Sequence, residues 1–285
     1  MSSVNRQWRG QGEPGPNMAL EHRLRRRVVF DDVPELYDSV RPGYPSRLFD
    51  DLFVYLGKDP RDVHVVEMGA GTGKATIPLL ERGCQVTAVE LGPAMAAYLR
   101  RRTSEFDDRI DVITAAFEEA DLPSNAFDVV FAATAWHWVD PVRGLRIARS
   151  LLRSGGVIAL LGIVQVSGDG ERDFFMESQS IYRDLGLDQE PWTGAPQRTA
   201  LVNDDRRMLE TAPLFTDVEE FRVNWDITYT SADYVRLKQT HSDLRLLDDP
   251  TRTKYLHRIA DLIDAEFDGR IIRPGVACLC LGRVS

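Results

Sequence analysis

Cysteine is scarce. The chain of 285 residues has three, Cys84, Cys278 and Cys280, an odd number unlike a disulfide framework. Cys278-Leu279-Cys280 sets two sulfurs on one strand face, where buried reduced thiols are expected rather than metal ligands. Positive charge is also short: 35 basic against 44 acidic side chains leave a net charge of −9, which argues against a general nucleic-acid footprint. No apolar run reaches the roughly 18 residues of a membrane span, and the first residues lack the apolar stretch of a signal peptide. Neither nucleic acid nor membrane is an expected partner, and the cytoplasm is the expected location. There is no internal repeat to suggest a solenoid, and nothing that fixes an oligomeric state.

The length suits one large α/β domain with insertions. Residues 1–27 differ from the rest: Gly10, Gly12, Pro14, Gly15 and Pro16 discourage regular structure, and Arg23, Arg25, Arg26 and Arg27 make the stretch basic. A flexible basic arm is expected there, ahead of a domain over 28–285.

The most informative feature present is Glu67-Met68-Gly69-Ala70-Gly71-Thr72-Gly73, between the apolar Val63 to Val66 and a helical stretch from Lys74 to Arg82. Alternate glycines permit a sharp strand-to-helix turn with positive φ and leave no Cβ between backbone and ligand. A nucleotide-like cofactor is implied. A phosphate loop would need glycine at Met68 and a hydroxyl at Ala75. A dinucleotide fingerprint would need its third glycine at Lys74, so a nicotinamide-dependent oxidoreductase fits the turn in part and remains an alternative.

The acid ending the first strand, followed by G-x-G-x-G, resembles motif I of the class I S-adenosylmethionine (SAM) dependent methyltransferases, with Glu67 as the acid. Further segments carry the same resemblance. Gln85 to Glu90 reads as a second strand ending in an acid about twenty residues beyond the glycines. Gly92-Pro93 opens a helix through Met95 and Leu99. Ile110 to Thr114 reads as a third strand, followed by Ala115-Ala116-Phe117-Glu118 at the position where the family contacts adenine. Ala116 stands where that family frequently has Asp, leaving Glu118 or backbone groups for the contact. Phe127 to Ala132 reads as a fourth strand running into Trp136-His137-Trp138, similar to the hydrophobic-H-W segment of small-molecule methyltransferases. Arg153-Ser154-Gly155-Gly156 precedes a fifth strand, Val157 to Ile163. Tyr37-Asp38-Ser39-Val40-Arg41-Pro42-Gly43-Tyr44-Pro45 resembles the family's Y-D-x-x-R-P-x-Y-P signature. The resemblance covers about residues 28 to 165.

It implies a Rossmann-like α/β fold with a seven-stranded, mostly parallel sheet ordered 3-2-1-4-5-7-6, and SAM as methyl donor. Gly69, Gly71 and Gly73 would admit the methionine part, Glu67 would orient groups near its ammonium, and Glu90 would hold the ribose. Leu91 and Met95 would line the adenine pocket, with Phe117 on the ring and Glu118 beside it. Arg41 is the candidate for the SAM carboxylate, and Tyr37 and Tyr44 for covering the methyl end. His137 is the leading candidate for a proton-transferring group, with Glu171 and His241 behind it. Trp136, Trp138, Phe174, Phe175, Tyr182, Trp192 and Trp225 suggest an apolar pocket for a small lipophilic or aromatic acceptor. A SAM-binding module without turnover would keep the same cofactor residues.

Beyond the fifth strand, helical insertions acting as a lid are expected at about 166–214 and 230–268. A sixth strand is expected over Val218 to Thr228, buried on both faces, and a seventh over Val276 to Val284. Helices are expected from Arg172 to Leu185, from Asp204 to Leu209, from Ser231 to Leu247, and from Thr251 to Phe267 with Asp249 as cap.

Overall fold

The computed structural model describes residues 29–106, 108–168, 173–187 and 194–284; the basic arm, Glu171 and Trp192 lie outside them. In chain order the elements begin with α1 (Pro34–Val40), α2 (Ser46–Leu56), β1 (His64–Met68), α3 (Thr76–Glu81), β2 (Gln85–Glu90), α4 (Pro93–Arg102) and β3 (Ile110–Thr114). Next come β4 (Phe127–Ala133), α5 (Pro141–Leu151), β5 (Leu152–Gln165), α6 (Phe174–Asp184), α7 (Asp204–Thr211) and β6 (Phe215–Asn224). The last are β7 (Ile227–Thr230), α8 (Ser231–Gln239), α9 (Ser242–Arg245), α10 (Asp249–Glu266), β8 (Arg270–Arg273) and β9 (Gly275–Val284).

These elements fall into two compact units. One comprises Pro42–Ile163, Asp205–Val223 and the chain from Ala277; the other comprises Val164–Asp204, Asn224–Val276 and the described residues up to Arg41. The first is built on the seven-stranded sheet, ordered β3-β2-β1-β4-β5-β9-β6, which is the expected order with β9 in the place of the seventh strand. β1, β2, β3, β4 and β5 pair in parallel. Their central members are near-continuous apolar runs because a parallel strand covered on both faces has no solvent side to tolerate polar alternation. Helix α5 shows the local logic. Asp140 caps it by accepting from the Arg143 amide, Pro141 occupies its first turn, and Leu145, Ala148 and Leu151 form the buried stripe. That stripe joins Val66, Val130, Ile158, Leu160 and Trp136 in one core.

The sixth strand departs from expectation. β6 ends at Asn224, its residues are mostly exposed or half-buried, and it lies at the edge of the sheet with β9 as its one neighbour. Asp226 breaks the run: its Oδ1 accepts from the Gly275 amide at 3.0 Å and pairs with Arg198, while the Trp225 amide donates to the Gly275 carbonyl at 2.8 Å. Ile227 to Thr230 then leave the main sheet and pair antiparallel with β8.

The other unit packs α6, α8, α9 and α10 with that two-stranded sheet around Phe174, Ile181, Tyr234, Leu237, Tyr255, Ile259 and Ile271. The single helix expected from Ser231 to Leu247 is interrupted at Thr240 and His241. Thr240 Oγ1 turns back onto the Leu237 carbonyl at 2.7 Å. Arg41 donates from Nε to Thr240 Oγ1 and from Nη2 to the Thr240 carbonyl, each at 2.9 Å, so a cation from 199 residues away satisfies the helix's C-terminal end. Asp248, one residue before the expected Asp249, caps α10 by accepting from the Thr251 amide. All three cysteines are buried, and none is in a disulfide. Among the described residues no helix is long and apolar enough to cross a membrane.

Candidate functional site

In an open α/β sheet, ligands bind beyond the carboxyl ends of the strands where the order reverses, here at the ends of β1 and β4. β1 ends at Met68, which stands opposite Val89 of β2, so the chain turns out of β1 beside Glu90. The amides of Gly69 and Ala70 both donate to the Val89 carbonyl, at 2.8 and 3.3 Å. Gly69, Gly71 and Gly73 have φ of +65°, +56° and +91°, a region that costs an L side chain roughly 1–2 kcal/mol.

The three glycines have different surroundings. A Cβ on Gly69 would stand 2.7 Å from Ala135 Cβ, and one on Gly73 2.7 Å from Leu99 Cδ1, whereas one on Gly71 would meet nothing within 4 Å. Gly69 is therefore required by the protein's own packing, whereas at Gly73 the contact is the end of a leucine side chain that can shift, and the positive φ is the stricter demand. Gly71 presents bare backbone to open space, as a turn that seats a ligand must.

Glu90 sets that backbone. Its Oε2 accepts from the Gly71 amide at 2.7 Å and its Oε1 from the Gly92 amide at 2.9 Å. One carboxylate thus ties the end of β2 to the glycine turn and to the start of α4. Each carboxylate oxygen has a further lone pair, so the group can brace the turn and accept from a ribose together. Gly92 precedes α4, which has Pro93 in its first turn. Met95 and Phe117 are buried, Leu91 and Glu118 half-buried. Phe117 packs in the same core as Met68 and Val89. The Glu118 carbonyl accepts from Arg143 Nη2 at 3.0 Å.

Glu67 lies beneath the turn, 1 % exposed, and its Oε2 accepts from Thr76 Oγ1 at 2.6 Å. Burial, offset in part by the Thr76 bond and aided by the charge of Glu90, pushes its carboxyl up to about 8. At neutral pH it is therefore largely a neutral acid, holding the start of α3 against the end of β1. The folded state keeps a proton that the unfolded state releases near the ordinary carboxyl value of 4.5, so stability is fully present below that value and is lost as pH rises toward about 8. Thermal unfolding followed from pH 5 to 8 is expected to show a midpoint falling by several degrees, and Glu67→Gln, which keeps an acceptor for Thr76, to flatten the dependence. An unchanged slope in the variant would assign it to other groups.

Beyond β4 the chain turns at Thr134, a β-branched residue with φ of +52°, whose amide donates to the Leu161 carbonyl at 2.7 Å. Such a conformation is rare for threonine and marks a constrained position. Tyr44 Oη donates to Thr134 Oγ1 at 2.9 Å, which brings the expected Tyr44 to the end of β4. Sequence reasoning missed Thr134, because only the paired Tyr44 and the local φ single it out. Of the segment that follows, Trp136 is buried and donates from Nε1 to Met208 Sδ at 3.4 Å. His137 is exposed, with its ring 4.6 Å from that of Trp138. The outer position among these three residues belongs to the imidazole, and Trp136 serves the core.

Tyr37, Arg41 and His241 belong to the helical unit. The Arg41 guanidinium, held by Thr240, lies 5.1 Å over the Tyr37 ring. His241 is buried, and burial, followed by the charges of Lys238, Arg41 and Arg273, drives its imidazole well below the ordinary value, so it is neutral at physiological pH. The aromatic residues expected to share one acceptor pocket are divided: Trp136 and Trp138 belong to the sheet unit, and Phe174, Phe175, Tyr182 and Trp225 to the helical one. Among the described residues no cluster of His, Cys, Asp and Glu could hold a metal ion.

Comparison with known proteins agrees with this geometry. Residues 66–160 match a methyltransferase domain family. The chain is 32% identical over 236 residues to an uncharacterized methyltransferase of Mycobacterium tuberculosis, a match covering 83% of this chain and 86% of that protein. It is 29% identical over 173 residues to a Saccharomyces cerevisiae protein assigned as an S-adenosylmethionine-dependent methyltransferase, covering 59% of this chain and 57% of that one. A solved structure from Anaeromyxobacter dehalogenans, assigned as a type II methyltransferase, superposes with a TM-score of 0.56 at 23% identity, covering 85% of this chain and 97% of that chain.

Proposed function

The chain belongs to the class I S-adenosylmethionine-dependent methyltransferases, and from that premise we propose that it moves the donor's methyl group to a small organic acceptor of lipophilic or aromatic character. Membership removes the nicotinamide-dependent oxidoreductase reading. The observation that carries the proposal is the Gly71 backbone, half-buried with open space where a Cβ would stand and fixed by Glu90 at the crevice of the sheet. The turn fits the donor because nothing of the protein fills the space where a Cβ of residue 71 would stand.

SAM, when bound, supplies an electrophilic methyl on a sulfonium. The protein's own part is alignment and exclusion of water. In this reading Gly69, Gly71 and Gly73 admit the methionine part and Glu90 accepts from the ribose hydroxyls. Leu91, Met95 and Phe117 flank adenine, with Glu118 at its edge. Glu67, neutral and buried, holds the turn from below. Tyr44, tethered to Thr134, covers the methyl end. His137 takes a proton from the acceptor where the nucleophile must lose one.

Calorimetry with S-adenosylhomocysteine tests the seat, and transfer of label from SAM into a cell extract tests turnover. Tight S-adenosylhomocysteine binding with label in a small molecule supports the proposal; binding without any labelled product would turn it toward a SAM-binding module. Within the reading, His137→Asn is expected to lower kcat by about 100-fold, the lower end of what a general base supplies, and to leave S-adenosylhomocysteine affinity unchanged. An undiminished kcat would reduce His137 to a lining residue.

A further inference from the structure

Among the described residues four that are not glycine hold a positive φ, and three of them are Asn125, Asp217 and Asp268, residue types that visit the left-handed region readily. The fourth is Thr134, at +52°. For a β-branched side chain that conformation is an outlier, whereas glycine would adopt it without strain.

The surrounding fold imposes the strain. Ala133, the last residue of β4, stands opposite Leu161 of β5, and the Thr134 amide donates to the Leu161 carbonyl at 2.7 Å, so the chain leaves the sheet at this residue. Ala135 then packs against the glycine turn, where a Cβ on Gly69 would stand 2.7 Å from Ala135 Cβ. The Ala135 carbonyl accepts from the Trp138 amide at 3.0 Å, which closes the next turn. The neighbours on both sides thus fix the backbone of residue 134. None of them asks for a hydroxyl, and glycine or asparagine would meet their demand at lower cost.

The hydroxyl serves another segment. Tyr44 Oη donates to Thr134 Oγ1 at 2.9 Å across 90 residues of chain. Thr134 is exposed and Tyr44 half-buried, so water can serve either hydroxyl and the bond adds little net stability. What it adds is a fixed direction for the Tyr44 side chain, one residue away from the side chain that touches Gly69. Strain kept at a ligand crevice for a bond of small stabilising value marks a position where geometry is the product.

We propose that Thr134 is a positioning residue of the donor seat: its turn holds Oγ1 where it receives the Tyr44 hydroxyl hydrogen, and so fixes the Tyr44 ring over the methyl end of bound SAM. This rests on the methyl-transfer reading.

The test measures the unfolding midpoint and, by calorimetry, the affinities for SAM and S-adenosylhomocysteine in the full-length wild type and four variants: Thr134→Gly, Thr134→Ser, Tyr44→Phe and the double Tyr44→Phe/Thr134→Gly. Thr134→Gly relieves the strained φ and removes the oxygen. Its midpoint is expected to be no lower than that of the wild type, while its SAM affinity falls about fivefold, the scale of one hydrogen bond. S-adenosylhomocysteine, which lacks the methyl, should lose at most about twofold. Thr134→Ser keeps the oxygen and should bind SAM within about twofold of the wild type. Tyr44→Phe leaves the backbone alone and reads the same bond from its other end, which decides the matter if Thr134→Gly does not fold. Because the two residues share one bond, the double variant should lose about fivefold rather than about 25-fold.

Unchanged SAM affinity in Thr134→Gly, equal losses for the two ligands, multiplied losses in the double variant, or a midpoint that falls together with the affinity would each overturn the assignment of Thr134 while leaving the methyl-transfer reading intact. A wild type that binds neither ligand would defeat that reading and this inference together.

Discussion

Replacing Glu90 with alanine is expected to weaken S-adenosylhomocysteine binding by about 100-fold, or roughly 3 kcal/mol. The variant loses two things together. Acceptance from the ribose hydroxyls disappears, and hydrogen bonds to a charged group contribute about 1.5–3 kcal/mol each. The Gly71 and Gly92 amides also lose their common acceptor, so the turn no longer arrives preorganised. Glu90→Gln separates the two losses. Its carbonyl can still accept one amide, but its NH2 opposes the other, and a fall of about tenfold is expected. Calorimetry gives the affinities, and thermal unfolding reports the fold in parallel. Unchanged affinity in Glu90→Ala, with the fold intact, would remove Glu90 from the cofactor seat and take with it the placement of the ribose.

The second large effect separates a glycine the protein needs from a glycine the ligand needs. In Gly69→Ala the new methyl meets Ala135 Cβ at 2.7 Å, a contact that no rotation of either side chain relieves. Added to the positive-φ cost, the expected destabilisation is about 2–4 kcal/mol, the range of overpacked or strained core positions. Gly71→Ala meets no atom of the protein and should lose only roughly 1–2 kcal/mol from its backbone conformation. Its methyl projects into the space assigned to the donor, so S-adenosylhomocysteine affinity should fall by at least about tenfold, or 1.4 kcal/mol. The expected pattern is therefore crossed: Gly69→Ala lowers the unfolding midpoint most, whereas Gly71→Ala loses binding out of proportion to its stability. If Gly71→Ala binds as the wild type does, the donor does not approach this turn.

Much of the sheet was legible because its information is local. Each parallel strand from β1 to β5 is an apolar run bounded by turn residues, and the acid at the end of β2 is recognisable by its distance from the glycines. The errors lie where distant groups decide. Residues 218 to 228 carry enough apolar side chains to read as one buried strand, yet Asp226 finds Gly275 and Arg198, and the run is cut in two. Nothing between Ser231 and Leu247 announces a helix break; Arg41 supplies it by bonding the Thr240 carbonyl. The residues proposed for the site follow the same division. Gly69, Gly71, Gly73 and Glu90 were identifiable from their order, whereas Thr134 required the turn beyond β4 and its bond from Tyr44.

The sequence by itself determined the family and the cofactor turn, since glycine spacing and strand-end acids are properties of a few adjacent residues with strong backbone consequences. The tertiary structure decided how those residues divide their work. It showed that Glu90 grips two backbone amides, that Gly69 is required by Ala135 and Gly71 by nothing of the protein, and that Glu67 is buried enough to keep its proton. These outcomes depend on desolvation and on contacts between groups tens to hundreds of residues apart, which no local pattern encodes.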